Sequence, residues 1–361
     1  MSAAEQPGLF GIKHSNRDLT KADSWGKNMF NSNFPVALVM YMDSVGIKPR
    51  YLKLAADGQL QKDYIGAAEL FGCDPLSDDT KYVFEAPYKP FIPYCFDETK
   101  VPKVDAMIES NSTGQVYSGF EIKLTAIPDE STYRLSESEY GSELVIRFPS
   151  ITYLACSIAH LYKEDHRALK KFFGNGFGNV SSYVEAAQVN TVLPQIYKIL
   201  NDLIKANTAR QKPALIQPIW KTEGKKAVLH DNCLDVFVWS ELAFTKLFLK
   251  EAVDTSTDST RGISRPQRAV IQLFFMLNDF AVRGRIDFAD IQNKLTYGPK
   301  NDKAFSVNGR ITNSLMSCDE LTKPRVTKAQ IKNIILGGGE KFLSPERRFD
   351  ATVAATPELF D

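Results

Sequence analysis

A chain of 361 residues with 43% hydrophobic and 24% charged residues is long enough for one large domain or two and can bury a substantial core. It contains no run of about 18 apolar residues, and its start, MSAAEQPGLFGIKHSNRDL, has neither the basic end nor the apolar stretch of a secretory signal, so we expect a cytoplasmic protein without a membrane span. The net charge of +1 points by itself to no polyanionic partner, but residues 1–150 carry 15 Lys+Arg against 21 Asp+Glu, a net −6, whereas residues 261–349 carry 16 against 8, a net +8.

In chain order, the first hundred residues read as a mixture of helical and irregular stretches, with a compact apolar run within 25–44 and a short helical pattern in YIGAAELFG (64–72). Pro87, Pro90, Pro93 and Pro102 then punctuate a segment expected to be extended and free of helix. KVDAMIES, the turn residues NSTG and QVYSGFEIKLTAI alternate as a β-hairpin from Lys103. On the second strand Glu121, Lys123 and Thr125 share one face, and Phe120, Ile122 and Leu124 the other. After the acidic loop 128–143, LVIRF reads as a third strand and Ser150 as the opening of a helix bearing Ile151, Leu154, Ala155, Ile158 and Leu161. Further helices are expected near 183–207, interrupted by Pro194, and over 240–253, 264–283 and 327–336; Ser264 would cap the third, and Gly337 would stop the last. The polar segment DTSTDSTRG (254–262) divides the chain into 1–253 and a basic helical region 254–361, unless the two form one continuous domain.

The five cysteines are scattered and never in a CxxC pair, and the four histidines form no HExxH or HNH-like arrangement, which excludes a disulfide framework and zinc hydrolase chemistry. GNGFGN (174–179) and GGGEK (337–341) lack the context of nucleotide-binding loops and read as turns. Carboxylates are therefore the candidate metal ligands. Asp105, followed sixteen residues later by Glu121 and then Lys123, places two acids on adjacent strands and an ammonium beside them. Two carboxylates suit Mg2+, which prefers a few such oxygens plus waters and substrate oxygens. The ammonium can orient an attacking water and stabilise a phosphorane-like transition state. Charges in the middle of a strand as apolar as VYSGFEIKLTAI need a metal, a partner or a solvent-filled cleft.

Asp105, Glu121 and Lys123 resemble the PD-(D/E)xK nuclease superfamily motif position by position, although Val104 stands where that family often has proline. WGKNMFNSNFPVAL, GFEIKLTAIPDESTYRLSESEYGSELVIR, SRPQRAVIQLFFMLNDF and LSPERRFDA resemble the HindVP-type restriction endonucleases in order and spacing over most of the chain. The resemblance implies an α/β (α+β) fold, with a restriction-endonuclease-like mixed β-sheet core flanked by helices and additional helical DNA-recognition elements. It also implies a Mg2+-dependent type II enzyme that cuts double-stranded DNA at the degenerate palindrome GRCGYC as a homodimer, beside a separate cognate DNA methyltransferase. A repair or recombination nuclease without strict recognition, or a non-cutting DNA-binding protein, are the competing readings. Candidate DNA contacts are Arg147, Arg265, Arg268, Arg283, Arg285, Asn308 and Arg310, because arginine reads guanine bidentately and neutralises phosphates. Asp129, Glu130, Glu69 and Glu85 are candidates for an additional acid.

Overall fold

The computed structural model describes residues 14–16, 27–123, 144–174, 176–223, 228–254, 262–295, 303–307 and 325–330. The apolar run near the start forms helix α1 (Lys27–Ser44), with Pro35 inside it and Val36, Leu38, Val39 and Met42 buried. Strands β2 (Arg50–Leu54) and β3 (Leu60–Tyr64) then form a hairpin, numbered after the two-residue β1 (His14–Ser15). Helix α2 (Ala67–Phe71) ends on Gly72, whose φ of 74° suits a residue without Cβ, and β4 (Thr80–Pro87) follows.

These strands correct the mixed helical and irregular reading of the first hundred residues. Tyr82, Val83 and Phe84 are buried consecutively, as on a strand covered on both faces, so the sequence lacks the period-two alternation that betrays a half-buried strand. The proline-punctuated segment also differs from expectation, since Lys89–Tyr94 and Glu98–Lys100 are 3-10 turns. Pro90 sits in the first turn of the former, where no backbone N–H is required and its fixed φ fits.

The expected hairpin is present as β5 (Lys103–Ser110) and β6 (Val116–Ile122), paired antiparallel through Ala106–Phe120 and Met107–Gly119. Its turn is held by Asp79, which accepts bonds from Ser110 Oγ at 2.7 Å and the Ser112 N–H at 2.8 Å. LVIR forms β7 (Leu144–Arg147), but outside the main sheet, in a two-stranded ribbon with β10 (Lys303–Val307). Helix α3 (Phe148–His160) begins two residues before Ser150, so Ser150 lies inside it rather than capping it. Helix α4 (Ala186–Ala206) runs unbroken through Pro194, its buried stripe from Val189 to Ile204 offsetting the roughly 3 kcal/mol that an interior proline costs.

Two long strands that the sequence reading passed over, β8 (Pro213–Glu223) and β9 (Val228–Ser240), lead into α5 (Glu241–Asp254) and α6 (Arg265–Arg283). Ser264 caps α6 as expected, in a reciprocal capping box with Gln267. Helix α7 (Phe288–Lys294) and β11 (Val326–Thr327) follow. Residues 328–330 begin the helix anticipated from 327, the remainder of which lies outside the described residues, as does GGGEK. No helix among the described residues is long and apolar enough to cross a membrane.

The main sheet has nine strands among the described residues, in the order β1-β4-β5-β6-β8-β9-β2-β3, with β11 on β9. β6–β8 and β9–β2 pair parallel, and β4–β5, β5–β6, β8–β9 and β2–β3 antiparallel. The fold class is thus the mixed α/β sheet flanked by helices that the resemblance implies. One face buries Tyr82, Ala106, Phe120 and Ile216 with α1 and α2, and the other buries Val83, Met107 and Leu215 with α3 to α6. Residues of α6, including Phe274, Leu277 and Phe280, share that second core with Leu154 and Ile158 of α3. The 325–330 segment is clasped to the sheet by buried Asp235, which pairs with Arg50 at 3.1 Å and Arg325 at 2.8 Å.

The ring of Tyr88 packs against Gly119, where an added Cβ would stand 2.3 Å from the ring's Cε2. Gly119→Ala is expected to cost about 1 to 3 kcal/mol as the buried Tyr88 is forced aside, measured by denaturant unfolding, while Gly178→Ala, at an exposed glycine without positive φ and with open space around it, serves to gauge the backbone effect alone.

Candidate active site

The ladder on one edge of strand β6 ends, and the ladder on its other edge begins, where the charges lie. The strand pairs with β5 as far as Phe120 and with β8 from Glu121 onward. Lys123 N–H donates to the Ile216 carbonyl on β8 at 3.0 Å, whereas Ile122 N–H faces the departing β5. There the Asp105 carboxylate accepts it at 2.6 Å and replaces the missing ladder carbonyl. Asp105 is therefore required by the backbone as well as being available for chemistry.

Glu121 projects from the next alternation, 8% exposed, onto the face covered by α3. Its Oε1 accepts from the Lys123 ammonium and from Ser150 Oγ, the latter at 2.9 Å. The structure thus brings Asp105, Glu121 and Lys123 together on one face. Burial first, and the Glu121 charge second, raise the Asp105 pKa to about 7; the Lys123 ammonium and the Ile122 N–H act in the opposite sense, and Glu85 adds repulsion.

Both carboxylates offer hard oxygens, and among the described residues no group of three or more His, Cys, Asp or Glu is arranged to hold a metal. That donor set fits a hard divalent cation whose shell is completed by waters and substrate oxygens, and its charge would oppose both the desolvation and the Glu121 repulsion that raise the Asp105 pKa.

Other candidates are placed more variously. Glu85 falls between the Phe84–Ala106 and Ala86–Val104 pairs, across from Asp105, in a left-handed conformation at φ 51°. Glu69 on α2 lines a separate cavity of about 180 Å³ with Tyr88, Tyr153 and Lys212. Arg147 is exposed at the N-cap of α3, opposite Lys303 on the ribbon. Helices α3 and α6 run in the same direction: both end on one cluster, where Tyr94 bonds His160 at 2.6 Å and packs on Phe280, and α6 also contacts β10 beside the start of α3. Arg265 and Arg268 consequently lie toward the carboxylate end, with Arg268 Nε bonded to the Ile263 carbonyl at 3.2 Å. Arg283 and Arg285 lie at the other end of a 19-residue helix, about 27 Å along its axis. Arg283 is engaged by Asp279 and stacks on Phe96 at 4.6 Å, whereas Arg285 is exposed. Asn308, Arg310, Asp129 and Glu130 lie outside the described residues. The residue that the sequence reading missed is Ser150, taken there only as a helix start; its burial at a polar helix opening becomes apparent only once α3 is laid across β6.

Three comparisons with known proteins place this geometry in context. A family model described as HindVP restriction endonuclease matches residues 25–360. The chain is 40% identical over 356 residues to "Type II restriction enzyme HgiDI" of Herpetosiphon aurantiacus, covering 99% of this chain and 98% of that one. It is 38% identical over 355 residues to "Probable type II restriction enzyme HindVP" of Haemophilus influenzae, covering 98% and 95% respectively. No solved structure matches.

The raised Asp105 pKa has a stability consequence. Between its ordinary 3.8 and about 7, the folded chain retains a proton that the unfolded chain has released, so this group lowers stability as pH rises and its full cost is present above about 7. Asp105→Asn keeps an acceptor for Ile122 N–H without the charge. In metal-free protein it is expected to melt higher than the parent at about pH 8, with the advantage vanishing toward about pH 4; a pH-independent difference between the two melting curves would contradict this.

Proposed function

The chain belongs to the HindVP restriction endonuclease family and is a type II restriction enzyme, a site-specific deoxyribonuclease; from that premise we propose that it uses Asp105, Glu121, Lys123 and Mg2+ to hydrolyse both strands of a short palindrome. The observation that carries this reading is the convergence of the buried Glu121 carboxylate, the half-buried Asp105 carboxylate and an ammonium at the fork where β6 leaves β5. The target proposed from the family resemblance is GRCGYC, cut after the purine to leave 5′-phosphate and 3′-hydroxyl ends.

Asp105 and Glu121 would hold the cation, which when bound neutralises charge at the scissile phosphate and acidifies the attacking water. The Lys123 ammonium, seated against Glu121, orients that water and meets the charge that develops on phosphorus oxygens in the transition state. Arg147, Arg265 and Arg268 are proposed to grip the backbone near the cut, and Arg283 and Arg285 to meet flanking phosphates. Asn308 and Arg310 are proposed to act in readout from the basic region 254–361, which we take as the DNA-recognition part of a chain whose α6 shares the nuclease core. A palindrome is matched by two-fold symmetry, which supports a homodimer in which each copy cuts one strand. Host DNA would be protected by a separate methyltransferase in the same cytoplasm.

Unmethylated plasmid incubated with the protein and Mg2+ is expected to give discrete fragments whose sequenced ends fall within GRCGYC. Lys123→Ala should slow the cutting by about 10²- to 10³-fold, and Glu121→Ala should reduce it further. A smear of fragments would instead identify a nuclease without strict recognition, and tight specific binding that Mg2+ never converts to cleavage would identify a DNA-binding protein.

A further inference from the structure

We infer that Ser150 is a positioning residue for Glu121: its hydroxyl, together with Lys123, fixes the carboxylate so that the second oxygen, Oε2, points at the cation site. This inference rests on the reading of Glu121 as a metal ligand. The hydroxyl is 2.9 Å from Glu121 Oε1 and is contributed by a residue 3% exposed, 29 positions away in the chain.

A serine in the first turn of a helix ordinarily finds a backbone partner in its own turn. Thr152, two residues on, does so, bonding the Phe148 carbonyl at 3.0 Å. Ser150 bonds across to the sheet instead. Helix α3 has no acidic residue in its first turn, and Arg147 makes no side-chain cap, so the negative partner suited to a helix start is brought by tertiary contact, from Glu121. The same helix reaches β6 a second time, where Tyr153 Oη donates to the Gly119 carbonyl at 2.7 Å. The clearance above Gly119 that admits Tyr88 belongs to the same close approach. Helix α3 is thereby fixed to β6 at two positions of one face, and the Ser150 hydroxyl adds a directed bond to the one acidic side chain in that contact.

Glu121 has three rotatable side-chain torsions, and an ammonium on a lysine stem is a mobile partner that can follow the carboxylate as it turns. A hydroxyl on a buried helix cannot follow. With Oε1 held by both donors, rotation that would carry Oε2 away from Asp105 breaks the serine bond. Partners of this kind, which orient a ligand without touching the metal, typically alter cation affinity by about 10- to 100-fold when removed.

The test is calorimetric titration of chelator-stripped protein with Mn2+ in the absence of DNA, using the parent, Ser150→Ala, Ser150→Thr and Glu121→Ala, each checked for folding by its thermal melt. Ser150→Ala is expected to weaken Mn2+ binding by about 10- to 100-fold, and Ser150→Thr, which keeps the hydroxyl, to bind within a few-fold of the parent. In plasmid cleavage, Ser150→Ala should need correspondingly more Mg2+ for half-maximal rate and recover most of kcat at saturation. Ser150→Cys, similar in shape but a poor donor, should also bind weakly, and it decides the matter should the alanine variant not fold. Unchanged Mn2+ affinity in Ser150→Ala, equal weakening in Ser150→Thr, or a loss of kcat at unchanged half-saturation would overturn the role of Ser150. Parent-like binding by Glu121→Ala would overturn the ligand reading itself, an outcome separate from any result at Ser150.

Discussion

The gathering of a buried Glu121 and a half-buried Asp105 at a strand fork is the constraint around which the rest of this structure is arranged. Desolvation first, and the neighbouring Glu121 charge second, favour the protonated form of Asp105 and raise its pKa to about 7. Such an arrangement persists in a fold only if the surrounding groups hold it. The Ile122 N–H holds Asp105, and Lys123 and Ser150 hold Glu121. Each holding group lies within two residues of Glu121 along β6 or on helix α3, which packs on the face that carries the acids.

That arrangement explains features that would otherwise look unrelated. The β5–β6 ladder must end at Phe120, because an uninterrupted ladder would supply Ile122 with a carbonyl and leave Asp105 no backbone bond to make. Position 119 must be glycine, because Tyr88 packs where its side chain would be. The 3-10 turn that carries Tyr88 and Phe91 builds the apolar wall beside the polar cluster, with the two rings edge to face at 4.6 Å.

The chain also connects this cluster to its basic part by a short path. Only two residues lie between Arg147, which is opposite Lys303 on the β7–β10 ribbon, and Ser150, which bonds Glu121. Helices α3 and α6 run side by side in the same direction, so residues 262–295 of the +8 region are set against the core rather than strung beyond it. The candidate arginines among the described residues consequently divide into two groups at opposite ends of α6, a division invisible in a sequence where all of them look alike.

Much was legible in the sequence. The hairpin with Asp105, Glu121 and Lys123 was readable because period-two alternation and turn residues are local properties, and α6 because its capping box and amphipathic stripe are local too. The family was readable from long peptide stretches. Strands β2, β4, β8 and β9 were not, because strands covered on both faces lose the alternation that marks a strand, and α4 was read as broken because a proline's local cost is visible in sequence while the burial that offsets it is not. Residue types and their spacing along one hairpin thus determined by themselves which acidic and basic side chains meet there. Which serine holds the glutamate, where the ladder opens for the aspartate and which arginines lie toward the carboxylates were decided only by tertiary structure, because each depends on contacts between segments tens of residues apart.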